Sequence, residues 1–187
     1  MKRGITIVGL GPGNPAHLTL EAQQVLQEAR EVYLRTLHHP TVASLPKHLT
    51  LRSFDHLYQE KETFDEVYEE IARQILELGR RPEGVIYAVP GHPLVGEAAT
   101  QLILASAKER GLPVRIVEGL SFIEPVLTRL GLDALDGLQI VDATELATQH
   151  HPHLNPDVPT LVGQLYERSL ASDVKLTLMN LFPAEHP

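Results

Sequence analysis

The chain has 187 residues, enough for one domain or two small ones. Its formal charge of -8 argues against a general nucleic-acid or anionic-membrane surface. Cysteine is absent, which removes disulfides, thiolate metal sites and a cysteine nucleophile.

The N-terminus carries Lys2-Arg3, but Gly breaks the apolar run that follows, leaving it too short for a signal-peptide core. No apolar run approaches the roughly 20 residues that cross a bilayer. The expectation is a soluble, cytoplasmic chain with no nucleic-acid or membrane partner. Residues 5–8 are β-branched and continuous and read as a buried strand, ending at the breaker-rich stretch GLGPGNP. Thr19 is placed to cap a helix running to about residue 30. Residues 32–34 and 49–54 read as two further strands. Thr63-Phe-Asp-Glu66 fits a capping box, with Phe64, Val67, Tyr68, Ile71 and Ile75 at helical spacing behind it and Gly79 as the stop. Residues 84–89 form another apolar strand, broken by Pro90-Gly-His-Pro93. A helix rich in small residues is expected from about 94 to 110, closed by Gly111. Residues 113–117 read as a strand and residues 121–130 as a helix.

Strands alternate with helices throughout, so the sheet is expected to be mainly parallel and doubly wound. Ligands of such sheets bind outside the carboxyl ends of the strands. Three loops fall there: GLGPGNP, VPGHPLVGE and EGLSF. Beyond them, residues 138–141 and 160–162 suit strands, with the loop QHHPHLNPDVP between them and a helix expected over 167–181. Two strands make a poor independent sheet, so the second part reads as incomplete, with the natural chain continuing past Pro187.

A dinucleotide fingerprint needs Gly-x-Gly-x-x-Gly. Gly9 and Gly11 fit it, but Asn14 stands at the third position and Pro12 removes an amide from the turn. The second strand is followed by Arg35-Thr36 and offers no acid for a ribose. No Gly-Lys-Ser/Thr exists for a phosphate loop. His38-His39 and the His150–His153 stretch lack carboxylate partners at ligand spacing, so no metal site is expected. Glu69-Glu70-Ile-Ala-Arg73 puts Arg where a pyrophosphohydrolase helix needs a third Glu, which favours a solvated face.

At this point the residues resemble a family. VGLGPGNPAHLTL looks like the opening of the tetrapyrrole methylases, the corrin and porphyrin methyltransferases that use S-adenosylmethionine. YAVPGHPLVGE resembles their strand followed by Gly-Asp-Pro, with His92 in place of Asp. VEGLSFIEPVLTRLGL resembles their third signature, with Glu118 in place of Pro. The Gly-His-Pro form, with VYLRT, SFDHLYQEKETFDEVYEEIA and SDVKLTLMNLFPAEHP, is most similar to the branch fused ahead of a MazG nucleotide pyrophosphohydrolase.

The resemblance implies an α/β fold of two lobes. Residues 1–117 would form a doubly wound N-terminal lobe and residues 118–187 a truncated C-terminal one. It implies S-adenosyl-L-methionine held by Pro90, Gly91, His92, Val95, Gly96, Ser121, Phe122, Leu165 and Tyr166. Gly11, Pro12, Gly13, Asn14 and Pro15 would face the cleft of a small, tetrapyrrole-like acceptor. A homodimer and a C-terminal MazG domain are the implied partners. No catalytic residue is assigned, because methyl transfer from a sulfonium runs mostly on positioning. Ser121 suits a helix cap as well as a ligand contact. His92 suits a general base or a solvent-facing loop. Tyr87 and Tyr166 suit the core or a ligand. A regulatory module of a nucleotide hydrolase and a nicotinamide-dependent enzyme stand beside the methyltransferase as alternatives.

Overall fold

In a computed structural model the chain is described over residues 4–185. Lys2-Arg3 and the His186-Pro187 end of the closing motif lie outside the described residues. Two compact units divide the chain, Met1–Pro125 and Val126–Pro187.

The first unit holds a five-stranded sheet in the order β3-β2-β4-β1-β5. Its strands are β1 (Ile5–Gly9), β2 (Glu31–Leu34), β3 (Thr50–Ser53), β4 (Val85–Val89) and β5 (Val114–Val117). Every pairing is parallel; Ile7, for instance, stands opposite Tyr87 on one side and Ile116 on the other. Helices cover both faces. Ile5, Ile7, Val85, Tyr87 and Val89 pack with α3 (Phe64–Leu78) and α4 (Ala98–Glu109). Val8, Val32, Leu34, Ile86 and Ala88 pack on the other face with Ala22 and Leu26 of α1 (Leu20–Glu28). This double burial is why β1 and β4 read as unbroken apolar runs and not as alternating ones.

The local signals work as anticipated at several helix ends. Thr19 Oγ1 accepts from the Ala22 amide at 3.1 Å and caps α1. Thr63 Oγ1 accepts from the Glu66 amide, and the Glu66 carboxylate accepts from the Thr63 amide, so the capping box of α3 is complete. Gly111 closes α4 at φ +60, where glycine is favoured. A short helix α2 (Leu57–Glu60) precedes α3.

Two details differ from the sequence expectation. Gly79 caps α3 at φ -63 and not in the left-handed region. Its lack of a side chain serves packing: a Cβ there would stand 2.5 Å from Ile5 Cγ1 and 3.1 Å from Leu112 Cδ2. Helix α4 starts at Ala98 and not near residue 94. His92 delays it, since its ring Nδ1 accepts from the Leu94 amide and its carbonyl from the Val95 amide, each at 3.0 Å.

Helix α5 (Ile123–Leu130) runs across the division between the units. In the second unit, β6 (Gln139–Asp142) and β7 (Thr160–Gly163) pair in parallel as a two-stranded sheet. Asp142 accepts from the Thr144 amide at 2.8 Å and so caps α6 (Ala143–Thr148), a helix the periodicity did not reveal. With α7 (Arg168–Met179) it buries Ala143, Leu146 and Val174, a small core. Among the described residues no helix is long and apolar enough to cross a membrane.

Candidate functional site

The carboxyl ends of β1, β4 and β5 meet through glycine backbone. A Cβ on Gly9 would stand 2.6 Å from the Gly91 carbonyl oxygen and 2.7 Å from the Gly119 nitrogen. The loops after β1 and β4 are also bonded to each other. The Gly91 amide donates to the Gly11 carbonyl at 2.8 Å, and the Gly11 amide donates to the Gly91 carbonyl at 3.2 Å. Thr19 then ties the first loop to the third, because its hydroxyl donates to the Glu118 carbonyl at 3.1 Å. At Gly9 it is thus the other two loops that leave no room for a side chain, whereas a Cβ on Gly11 would meet His17 and one on Gly13 would meet Pro40.

In the first loop Gly11 is buried at φ +69 and Pro12 and Gly13 are half-buried. Asn14 and Pro15 are exposed, and the Asn14 side chain accepts from the Ala16 amide at 3.0 Å. In the second loop Pro90, Gly91, His92 and Val95 are half-buried and Gly96 is exposed. Gly91 lies at φ +65, and the nearest atoms to a Cβ there, Leu120 O and Ser121 Cα, are 3.9 Å away. A Cβ on Gly91 would thus just touch the backbone of the third loop at ordinary van der Waals distance.

The third loop is held by a polar knot. The Ser121 hydroxyl donates to Glu124 Oε2 at 2.7 Å and accepts from the Ile123 amide at 3.0 Å, while the Ser121 amide donates to the same Glu124 oxygen at 2.8 Å. Burial works against the Glu124 carboxylate, but the Ser121 bonds and nearby His92 outweigh it and hold its pKa below the ordinary value. The cap role of Ser121 is thus realised, and His92 sits within reach of the third loop. Phe122 beside it is exposed. Pro90, Gly91, His92, Val95, Gly96, Ser121 and Phe122 come from two loops brought together at one end of the sheet. Leu165 and Tyr166 belong to the second unit, just past β7, and both are exposed.

The carboxylates of α3 form a solvated face, with Arg73 bonded to Glu70 at 2.6 Å and to Glu77 at 2.9 Å. Among the described residues no group of three or more His, Asp or Glu is placed to hold a metal ion.

Sequence reasoning missed one polar cluster. Arg35, directly after β2, bonds Glu97 Oε1 at 3.0 Å. Glu97 is only 6% exposed. Burial pushes its carboxyl from the ordinary 4.5 up to about 7, and Arg35 recovers only part of that. Burial also works against the Arg35 guanidinium, yet Glu97 and the surrounding tyrosines leave its pKa raised. Tyr58, Tyr87 and Tyr68 all act electrostatically on Arg35. Tyr87 itself is fully buried, its ring edge-on to Phe54. The available signal was a lone acid, Glu97, opening the apolar helix EAATQLILA.

A parallel α/β sheet whose strand-end loops close on one another through glycines defines an α/β protein with its glycine loops at the carboxyl edge of the sheet, the edge at which sheets of this kind bind ligands. The chain belongs to the family described as Tetrapyrrole (Corrin/Porphyrin) Methylases, which it matches over residues 4–183. It is 38% identical to the uncharacterized protein YabN of Bacillus subtilis (strain 168), across 97% of this chain and 37% of YabN. It is 28% identical to ceuMA2 of Cerrena unicolor, a methyltransferase/ribosomally synthesized type I borosin cyclic peptide precursor, across 86% of this chain and 40% of that protein. The chain thus spans well under half the length of these two relatives. Among solved structures, uroporphyrin-III C-methyltransferase from Thermus thermophilus superposes with a TM-score of 0.65 at 24% identity, over 97% of this chain and 73% of that one. A second structure of that enzyme, in complex with S-adenosylhomocysteine, gives a TM-score of 0.51 at 24% identity, over 75% of this chain and 59% of that one.

Proposed function

We propose that this chain is a methyltransferase unit that binds S-adenosyl-L-methionine and methylates a small, tetrapyrrole-like molecule. The observation that carries the reading is the glycine junction at the carboxyl ends of β1, β4 and β5, in a chain that belongs to this family. The backbone of Gly91, bare of a side chain and lying against Leu120 and Ser121, suits a ligand held by backbone, which is what a neutral purine and a zwitterionic tail require. Pro90, Gly91, His92, Val95, Gly96, Ser121 and Phe122 would hold the cofactor. Bound there, it supplies the electrophilic methyl group. The chain's part is to orient the two reactants in line. Gly11, Pro12, Gly13, Asn14 and Pro15 would face the acceptor. The binding of S-adenosylhomocysteine by a structural neighbour supports the cofactor assignment.

In the same reading the chain works in the cytoplasm as a homodimer, as the N-terminal part of a protein that continues into a MazG domain. The Gly-His-Pro form of the second loop and the 37% coverage of YabN support the longer, fused protein; the homodimer and the cytoplasm come from the family resemblance alone. Calorimetric titration of S-adenosylhomocysteine and of NAD into the purified chain tests the proposal. Binding of the first and not the second is expected, followed by transfer of labelled methyl to a member of a porphyrinogen panel. Binding of NAD alone would overturn it.

A further inference from the structure

Four buried polar atoms lack a hydrogen-bond partner among the described residues: Arg35 Nε and Glu97 Oε2, of two side chains 3.0 Å apart, and Tyr58 Oη and Tyr87 Oη, of two tyrosines that interact electrostatically with both. Buried polar atoms are nearly always bonded, so a cluster of this kind calls for an occupant. It also lies where a ligand would come. Arg35 follows β2, its amide donating to the Ala88 carbonyl of β4 at 3.0 Å, and Glu97 directly follows the second glycine loop. Both are at the carboxyl edge of the sheet. The Arg35 side chain is 25% exposed and that of Glu97 only 3%, so the cluster opens on the arginine side.

We propose that Arg35, Glu97, Tyr58 and Tyr87 bind a neutral polar group of the methyl acceptor, one that carries both a hydrogen-bond donor and an acceptor, as an amide, lactam or urea does. The inference rests on the methyltransferase reading and narrows its substrate. The donor and acceptor inventory sets the class. Arg Nε–H can only donate, so the ligand must offer an acceptor; the free oxygen of an ionised Glu97 can only accept, so the ligand must offer a donor. The tyrosine hydroxyls do either. Charge sets the rest. Arg35 and Glu97 stand 3.0 Å apart and balance each other once the pH is above about 7 and Glu97 is ionised. A carboxylate or an ammonium entering this site would add an uncompensated charge to a buried place, which is costly.

The test uses the full chain labelled with nitrogen-15 at about pH 8, where Glu97 is ionised, and follows the Arg35 Nε–H resonance, assigned by its loss in Arg35→Lys. Acetamide, acetate and methylammonium are the probes. Acetamide is expected to shift the resonance saturably, with acetate and methylammonium at least fivefold weaker. In Glu97→Gln, which is nearly isosteric, the guanidinium loses its counter-charge, and the preference is expected to turn from acetamide to acetate. Tyr58→Phe should weaken acetamide binding and leave the backbone spectrum unchanged. Acetate binding the wild-type chain as well as acetamide does, or no saturable response to any probe, overturns the proposal. Calorimetry with S-adenosylhomocysteine on the same sample separates the two readings. Cofactor binding without an acetamide response overturns this proposal alone. An acetamide response without cofactor binding supports the polar site and counts against the methyltransferase reading.

Discussion

Gly9 and Gly119 meet backbone to backbone. A Cβ built on Gly119 would stand 2.9 Å from Gly9 Cα and 2.5 Å from the Gly91 carbonyl oxygen. These neighbours are main-chain atoms at the ends of three strands, so they have little room to give. Gly119→Ala is expected to cost about 3 kcal/mol, at the upper end of ordinary overpacking. Denaturant unfolding measures it. A loss below roughly 0.5 kcal/mol, the range of a neutral surface change, would mean that the three loops are not in contact in solution.

Gly91 offers a contrast within the same junction. Its φ of +65 strains any other residue, but a Cβ there meets nothing closer than 3.9 Å. Gly111, at φ +60, has nothing within 4 Å of its own Cβ position. Gly91→Ala and Gly111→Ala should therefore destabilise alike, by roughly 1–2 kcal/mol each, the cost of a left-handed conformation. Only Gly91→Ala should weaken S-adenosylhomocysteine, because only that methyl is added between the two loops proposed to hold the cofactor. Equal affinity in both variants would move the cofactor elsewhere.

How far the sequence could be read depended on the range of the cause. Strands β1 and β4 were legible because burial on both faces leaves a continuous apolar run. The Thr63–Glu66 box was legible because its partners are three residues apart. Gly79 was visible as a helix stop, but its reason is the side chain of Ile5, distant in sequence. The delayed start of α4 turns on one imidazole bond inside the loop, which no periodicity reports. The three site loops were legible as positions, since breakers follow strands. Their mutual packing was not, since it is a tertiary contact of backbone with backbone. The Arg35–Glu97 pair joins two elements distant in sequence; each residue lies in a stretch that carries the resemblance, VYLRT and YAVPGHPLVGE, but neither stretch shows that the two side chains meet.

The capping box of α3 makes a local prediction. Thr63 and Glu66 each satisfy an amide that the other's backbone leaves open. Thr63→Ala should cost about 1 kcal/mol, as loss of an N-cap usually does. Adding Glu66→Ala should cost less than it does in the wild type, because one reciprocal unit is being removed twice. Urea unfolding of the two single variants and the double variant gives the coupling. Strict additivity would show that the two bonds act independently.

Glu97 should leave a signature in the pH dependence of stability. Its folded carboxyl is pushed up to about 7 from an ordinary 4.5. The folded state therefore binds this proton more tightly than the unfolded state does. The resulting stabilisation is fully present below the unfolded value, is lost as pH rises toward the folded one, and changes no further above it. Glu97→Gln does not titrate, so the stability of wild type minus variant isolates the effect. The other groups around Glu97 are silent in this window. Burial pushes Tyr58 up to about 12 and Tyr87 well above its ordinary value, and Arg35 is raised from an already high one. Burial and Arg35 hold His39 below its ordinary value, but it titrates in both proteins and cancels to first order. Between about pH 5 and pH 8 the difference is expected to fall by roughly 2–3 kcal/mol, because a tenfold change in proton affinity is worth about 1.4 kcal/mol. Denaturant titrations of both proteins at those two values measure it. A difference that stays level would show that Glu97 is ionised across the whole range. A difference that grows with pH would show that Arg35 holds the carboxyl below its ordinary value.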